Sequence, residues 1–228
     1  EMKMKKMILI AAMILAAGGA LSAQGRIAFR ADAAVGFSTG DYKVESIGDL
    51  TGKSIVGYRI SGGLDIPIGY GLYVNPSLAF HSKGMKTNLE GVALGALGLN
   101  SSLKVKTHYI EIPVHLGYRL SLLNLVSVAV QAGPYFSYAI KGDGTVVRKD
   151  GQETTFDIYK DGLKEMINAK RFDVGLGAAA MVGYSNFYLL IGADFGLINT
   201  VKDIKPETKN LEATLKNTSF HVGLGIRL

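Results

Sequence analysis

Apolar and polar side chains alternate at every second position over most of the chain, the mark of β-strands with two chemically distinct faces. Eight segments carry the pattern: RIAFRADAAVGFS from Arg26, IVGYRISGGLDIPI from Ile55, LYVNPSLAFHSK from Leu72, YIEIPVHLGYRL from Tyr109, Leu125 to Ile140, RFDVGLGAAAMVGY from Arg171, Phe187 to Leu197, and SFHVGLGIRL from Ser219 to Leu228. In the first, Ile27, Phe29, Ala31, Ala33, Val35 and Phe37 share one face; in the second, Val56, Tyr58, Ile60, Leu64, Ile66 and Ile68 do so. About 12 residues at roughly 3.3 Å each, tilted by some 40°, climb about 30 Å, enough for an apolar band roughly 25 Å tall.

The connections alternate too. Gly69 to Gly71, Ser121 to Asn124 and Ser185 to Asn186 are hairpin-sized, whereas Thr39 to Lys53, Gly84 to Lys106, Lys141 to Lys170 and about Val201 to Lys216 are long. Short turns alternating with long loops predict an eight-stranded antiparallel up-and-down barrel with both termini on the short-turn side. In such a barrel SFHVGLGIRL pairs with RIAFRADAAVGFS and the terminal strand has no open edge. A helical turn or two is expected within FDIYKDGLKEMINAK.

Alternation leaves open whether the apolar face lines a soluble ligand-carrying barrel or faces lipid. Charge decides between them: across all eight segments that face carries no Asp, Glu, Lys or Arg, and the opposite face lacks the Lys, Glu and Thr of a soluble exterior. The second face is instead Gly, Ala and Ser interspersed with Arg30, Arg59, Lys83, Arg119, Arg171 and Arg227 and with Asp32, Asp65, Glu111, Asp173 and Asp194. Cations and carboxylates nearly cancel, as a narrow lumen requires, because a charge buried alone is expensive. The fold class expected is therefore all-β: a closed, eight-stranded antiparallel transmembrane β-barrel whose lumen is filled by its own side chains, without an open pore.

Aromatic positions agree. Phe37, Tyr58, Phe80, Tyr138, Phe172, Phe195 and Phe220 fall at the long-loop end, and Phe29, Tyr70, Tyr118, Tyr184 and Phe187 at the short-turn end, predicting two interfacial girdles. Pro67, Pro76, Pro113 and Pro134 fit less well, since every strand of a closed barrel has two neighbours; local bulges are expected there.

Residues 1–23 carry Lys3, Lys5 and Lys6, an apolar run from Met7, and small residues to Ala23, the three parts of a secretory signal. Cleavage after Ala23 would leave residues 24–228 as the barrel domain; an uncleaved anchor is the alternative, the run being only slightly short of the roughly 20 residues a spanning helix needs. Removing Glu1 and the three lysines lowers the formal charge from +6 to +4, so the pI near 9.3 overstates the basic character, and the scattered charges give no nucleic-acid footprint. An exported chain with no Cys is not held by disulfides.

YIEIPVHLGYRL, AGPYFSYAI, RFDVGLGAAAMVGYSNFYLLIGADFGLINT and NTSFHVGLGIRL together resemble the PorT-like outer-membrane β-barrel family of Bacteroidetes, over essentially all of Gln24 to Leu228. The resemblance implies residence in the cell outer membrane and a barrel fold, and is nearly silent on activity. Outer-membrane strands in general tend to end on an aromatic residue read by the barrel-assembly machinery; Leu228 departs from that.

No phosphate loop, paired-Cys metal site or nucleophile elbow is present, and no cofactor, metal or catalytic residue is expected. His81, His115, His221 and Tyr109 face the lumen and His108 lies near a rim, where hydrogen-bonded filler is the ordinary role. The sharpest enzymatic alternative is Ser219 with His221, two apart on one strand face and able to reach Asp173 or Asp194, a set suited to lipid or peptide hydrolysis. GVALGALGLNSS in the second long loop reads as filler or as a contact for lipopolysaccharide or a partner. The expectation is a non-enzymatic barrel anchoring four extracellular loops for partner binding or scaffolding, in contact with outer-membrane lipid, lipopolysaccharide, the assembly machinery and another envelope protein; a narrow channel is the other alternative.

Overall fold

The computed structural model describes residues 26–44, 48–51, 53–88, 102–122, 125–147, 152–159, 168–199, 201–202 and 213–228. The signal segment, GVALGALGLNSS except its last residue, and residues 160–167 of FDIYKDGLKEMINAK, the segment where a helical turn was expected, lie outside the described residues; the described ends of that segment fall in the strands Glu153–Asp157 and Asn168–Ala169. Eight long strands make the wall: β1 (Ala28–Val44), β2 (Lys53–Gly69), β3 (Leu72–Asn88), β4 (Ser102–Leu122), β5 (Val126–Val147), β6 (Phe172–Tyr184), β7 (Phe187–Gly196) and β8 (Ala213–Arg227). Each pairs antiparallel with its chain neighbour, and β8 pairs with β1 from Arg30↔Arg227 to Val44↔Ala213, closing the barrel. Two backbone bonds of 2.8 Å between Phe29 and Leu228 extend that seam to the final residue.

The strands form because each can satisfy its backbone sideways while one face meets lipid and the other meets its opposite numbers across the axis. The outward row is apolar on every strand: Val35 lies beside Tyr58 and Val222, and Leu189 beside Val182 and Leu224, all exposed. One residue departs from the expected pattern. Ile66 lies on the outward side yet is 6% exposed, next to a register shift between Pro67 and Gly69 that brings Ile68 outward again at 41%.

Two of the three short turns are as read; of the third, Ser121 and Leu122 belong to β4 and residues 123–124 lie outside the described residues. Tyr70 and Gly71 join β2 to β3 with positive φ at both, and Ser185 takes φ 53° in the Ser185–Asn186 turn, the twist a two-residue hairpin demands. The expected girdle residues at this end, Phe29, Tyr70, Tyr118, Tyr184 and Phe187, are all exposed. At the other end Tyr58, Phe80 and His108 form a cluster, with Phe80 and His108 stacked at 5.8 Å.

Two expectations need correction. Register shifts occur between Ser54 and Arg59, at Pro67/Gly69 and at His108/Tyr109, so only Pro67 of the four prolines sits at one. Beside Pro76, Pro113 and Pro134 the ladder lacks a few rungs with the register unchanged, since a missing donor can be skipped without inserting a residue. The long loops are also shorter than predicted. β4 and β5 run 21 and 22 residues, about twice what the band needs, and short polar ladders extend the wall further: Gly48–Thr51 pairs with β1 and Glu153–Asp157 with β5. Outward residues of β4 change from Ile110 to His108, Lys106 and Lys104 as the strand leaves the apolar band.

Candidate functional site in the barrel lumen

Inward side chains from all eight strands meet in the lumen and interlock there. Gly117 passes so close to Tyr73 that a Cβ on it would lie 2.2 Å from the ring, and Gly225 stands likewise 2.1 Å from Tyr188. Small residues therefore make room for large ones, but the room is made beside them on the neighbouring strand, Tyr73 being paired with Gly117 and Tyr188 with Gly225, rather than across the axis as the sequence implied. At the short-turn end an open recess of about 140 Å³, flanked by Arg119 and Arg227, is floored by an apolar plug of Tyr73, Ala129, Met181, Tyr188 and Leu190. The alternation did not single out Met181 or Leu190 as lumen residues, because an apolar residue on the polar face reads as noise until the opposing strand is known.

Beside the plug Asp65 is the hub. Arg119 Nη2 lies 2.8 Å from its Oδ2, Arg227 Nε 3.0 Å from the same oxygen, and Arg30 Nη1 3.4 Å from Oδ1. Arg30 also donates to Gln131 Oε1 (2.9 Å) and Asn75 Oδ1 (2.7 Å), and Gln131 Nε2 stands 3.0 Å from His115 Nδ1. Asp32 accepts from Ser61 (2.7 Å), Tyr188 (3.0 Å) and Arg59 (3.3 Å). A pore would leave such charges to water; here they are buried against one another.

The centre holds the groups with chemical potential. Lys83 Nζ lies 2.8 Å from Glu111 Oε2 and 4.3 Å from the Tyr135 ring centroid, all three residues being fully buried. His81 Nδ1 stands 3.6 Å from Glu111 Oε2 and 3.7 Å from Asp194 Oδ2, and His221 Nδ1 stands 3.7 Å from that same Asp194 oxygen. Ser219 Oγ is 3.3 Å from His81 Nε2. Asp173 takes a long 3.4 Å bond from Asn217. Tyr109 Oη is 3.5 Å from Asn217 Nδ2.

The expected lumen charges are all inward, but three of the arginines sit at the rims. Arg119 and Arg227 guard the recess, while Arg171 lies over the Tyr159 ring at 4.2 Å and donates to the Ala139 carbonyl. His108 is on the outer girdle, 3.5 Å from Tyr58 Oη. The predicted Ser219–His221 pairing is replaced: Ser219 meets His81, 138 positions away, and His221 meets Asp194. Two residues apart on a strand point the same way but stand side by side, whereas a residue across a narrow barrel can approach head-on.

A closed eight-stranded barrel with a lipid-facing apolar wall and a charge-paired lumen is a transmembrane β-barrel of the outer-membrane class. The chain belongs to the family described as outer membrane protein beta-barrel domain, whose family model matches residues 22–202, and the protein resides in the outer membrane. No curated protein matches it. Among solved structures it is similar to Neisserial surface protein A (16% identity, 89% of this chain and 99% of that one, TM-score 0.42). It is likewise similar to OprG from Pseudomonas aeruginosa (10%, 88% and 95%, TM-score 0.49) and to Ail, the attachment invasion locus protein of Yersinia pestis (12%, 87% and 98%, TM-score 0.40).

Proposed function

We propose that this barrel is a non-enzymatic anchor that presents its long-loop end to a partner at the cell surface. The observation that carries the reading is the division of the molecule. The lumen is spent on internal ion pairs over an apolar plug, while β4 and β5 extend past the membrane band and carry further β-structure with them. Two neighbouring strands twice as long as the bilayer requires serve whatever lies beyond the bilayer. Lipopolysaccharide around the girdles, the barrel-assembly machinery and another envelope protein are the partners proposed, residues 1–23 the export signal proposed, and the PorT-like group the subfamily proposed.

The test is site-specific photocrosslinking in intact cells. A crosslinker at exposed Lys104 or Thr154, on the long-loop side, is expected to trap a discrete protein or lipopolysaccharide band, and one at Tyr70 on the short-turn side is not. Adducts at neither long-loop position, or the same adducts at Tyr70, would overturn the proposal.

A membrane-embedded hydrolase is the second reading, because Ser219, His81 and the two carboxylates beyond it stand in the order of a nucleophile, a base and its orienting acid. Against it, Ser219 and His81 are 1% and 0% exposed, and the cavity bordered by Asp194 and His221 is about 10 Å³, room for one water. Turnover of fluorogenic lipid esters by the folded barrel, abolished by Ser219→Ala with gel migration unchanged, would favour this reading over the anchor.

A further inference from the structure

We infer that His81, Glu111, Asp194 and His221 form a buried binding site for one divalent transition-metal ion, with zinc as the cation best matched, at the centre of the lumen. One ligand atom from each of His81, Glu111 and Asp194 falls within a 4.8 Å group. The separations of 3.6 and 3.7 Å from His81 Nδ1 to the two carboxylates, and 3.7 Å from Asp194 to His221 Nδ1, are too long for hydrogen bonds. They are close to the roughly 3.4 Å between two ligands held tetrahedrally at about 2.1 Å from zinc.

Unpartnered atoms point the same way. His81 Nδ1, His221 Nδ1 and Asp194 Oδ2 have no hydrogen-bond partner, although each residue is more than nine-tenths buried. Groups of this kind normally find a partner, and Asp194 Oδ2 with two unpartnered imidazole Nδ1 atoms each 3.7 Å away is costly unless something sits between them. The other nitrogen of His81 is engaged: Nε2–H can donate to Ser219 Oγ, which fixes the tautomer with its Nδ1 lone pair directed at the carboxylates.

Charge balance gives an independent reason. The buried side chains of the lumen include five carboxylates, Asp32, Asp65, Glu111, Asp173 and Asp194, but three permanent cations, Arg30, Arg59 and Lys83. The rim residues Arg119 and Arg227 both make their ion pairs with Asp65. Lys83 serves Glu111 through Oε2 and leaves Oε1 without a hydrogen bond. With Asp65 set aside together with Arg119 and Arg227, four buried carboxylates face three cations, and a divalent cation at Asp194 covers that shortfall. Two imidazoles with two carboxylates suit zinc better than calcium or magnesium, which take all-oxygen shells.

The test refolds the full barrel into detergent with ZnCl₂, removes loose metal by gel filtration, and measures zinc by mass spectrometry alongside the visible d–d spectrum of a CoCl₂-loaded sample. Folding of every variant is checked by heat-modifiable gel migration. One zinc per barrel and a tetrahedral cobalt spectrum are expected, kept by the surface control His108→Ala and reduced at least tenfold in His81→Ala/Asp194→Asn. Should that double variant fail to fold, Ser219→Ala decides, with zinc affinity expected to fall about 10- to 100-fold. Wild-type barrels without zinc, zinc lost equally in His108→Ala, or affinity unchanged in Ser219→Ala would overturn the site.

Discussion

Replacing Lys83 with Met removes the one ammonium group that the described residues place at the lumen centre while keeping most of its apolar volume. Lys83 is 2% exposed, its Nζ lies 2.8 Å from Glu111 Oε2, and the Tyr135 ring lies 4.3 Å from it. Breaking a buried pair from one side leaves Glu111 charged in a site it cannot leave, with Arg59 Nε as its next cation at 3.9 Å. Such half-removals cost about 3–5 kcal/mol, two to four decades in the folding equilibrium, against about 0–1 kcal/mol for an exposed pair. The lost contact with Tyr135 adds to that figure. The assay is urea unfolding in lipid vesicles with EDTA present, the folded fraction being read from heat-modifiable migration. Lys83→Met/Glu111→Leu is expected to recover most of the loss, because a buried pair replaced on both sides by apolar groups is often neutral. A cost for Lys83→Met below about 1 kcal/mol would refute the reading of the lumen as desolvated and charge-paired.

On the lipid face, Ile191→Arg, at the middle of β7, is expected to cost about 2–4 kcal/mol in the same assay, and Phe187→Arg, at the girdle, about 0–1 kcal/mol. Inside, Gly225→Val drives a side chain into the Tyr188 ring and is expected to cost about 1–3 kcal/mol, with part of the loss relieved by adding Tyr188→Ala. In planar bilayers the purified barrel is expected to give no steady nanosiemens current, because Tyr73, Ala129, Met181, Tyr188 and Leu190 close the recess from the polar centre. Sustained currents of that size would contradict the plug.

The wall of this barrel was legible because lipid punishes charge. The rows containing Val35, Leu189 and Val222 could be assigned outward from composition alone, since no exposed surface in water would omit charge on eight strands. Outside the band the same logic fails. Beyond Ile110 the outward residues are His108, Lys106 and Lys104, polar like much of the inward face, so no lipid-facing apolar row marks the continuing strand. Lumen contacts were legible as an inventory but not as a map. Strand parity told that Ser219, His81, Asp194 and His221 point inward, but which of them meet depends on barrel shear and on register shifts such as Ser54/Arg59, set by neighbouring strands rather than by spacing within one. Hence the Ser219–His81 contact could not be read from a chain in which those residues are 138 apart.

The central claim is the direction of the two faces, and nitroxide scanning along β7 tests it most directly. Single cysteines placed in turn from Tyr188 to Asp194 in this Cys-free chain would be spin-labelled and refolded into lipid vesicles. Collision rates with dissolved oxygen, which concentrates in the hydrocarbon, and with a water-soluble nickel chelate would be compared at each site. Labels at Leu189, Ile191 and Ala193 are predicted to collide freely with oxygen and not with nickel, and those at Leu190, Gly192 and Asp194 with neither, in strict alternation. Nickel access at Leu189 and Ile191 would put the apolar row in water and contradict the account.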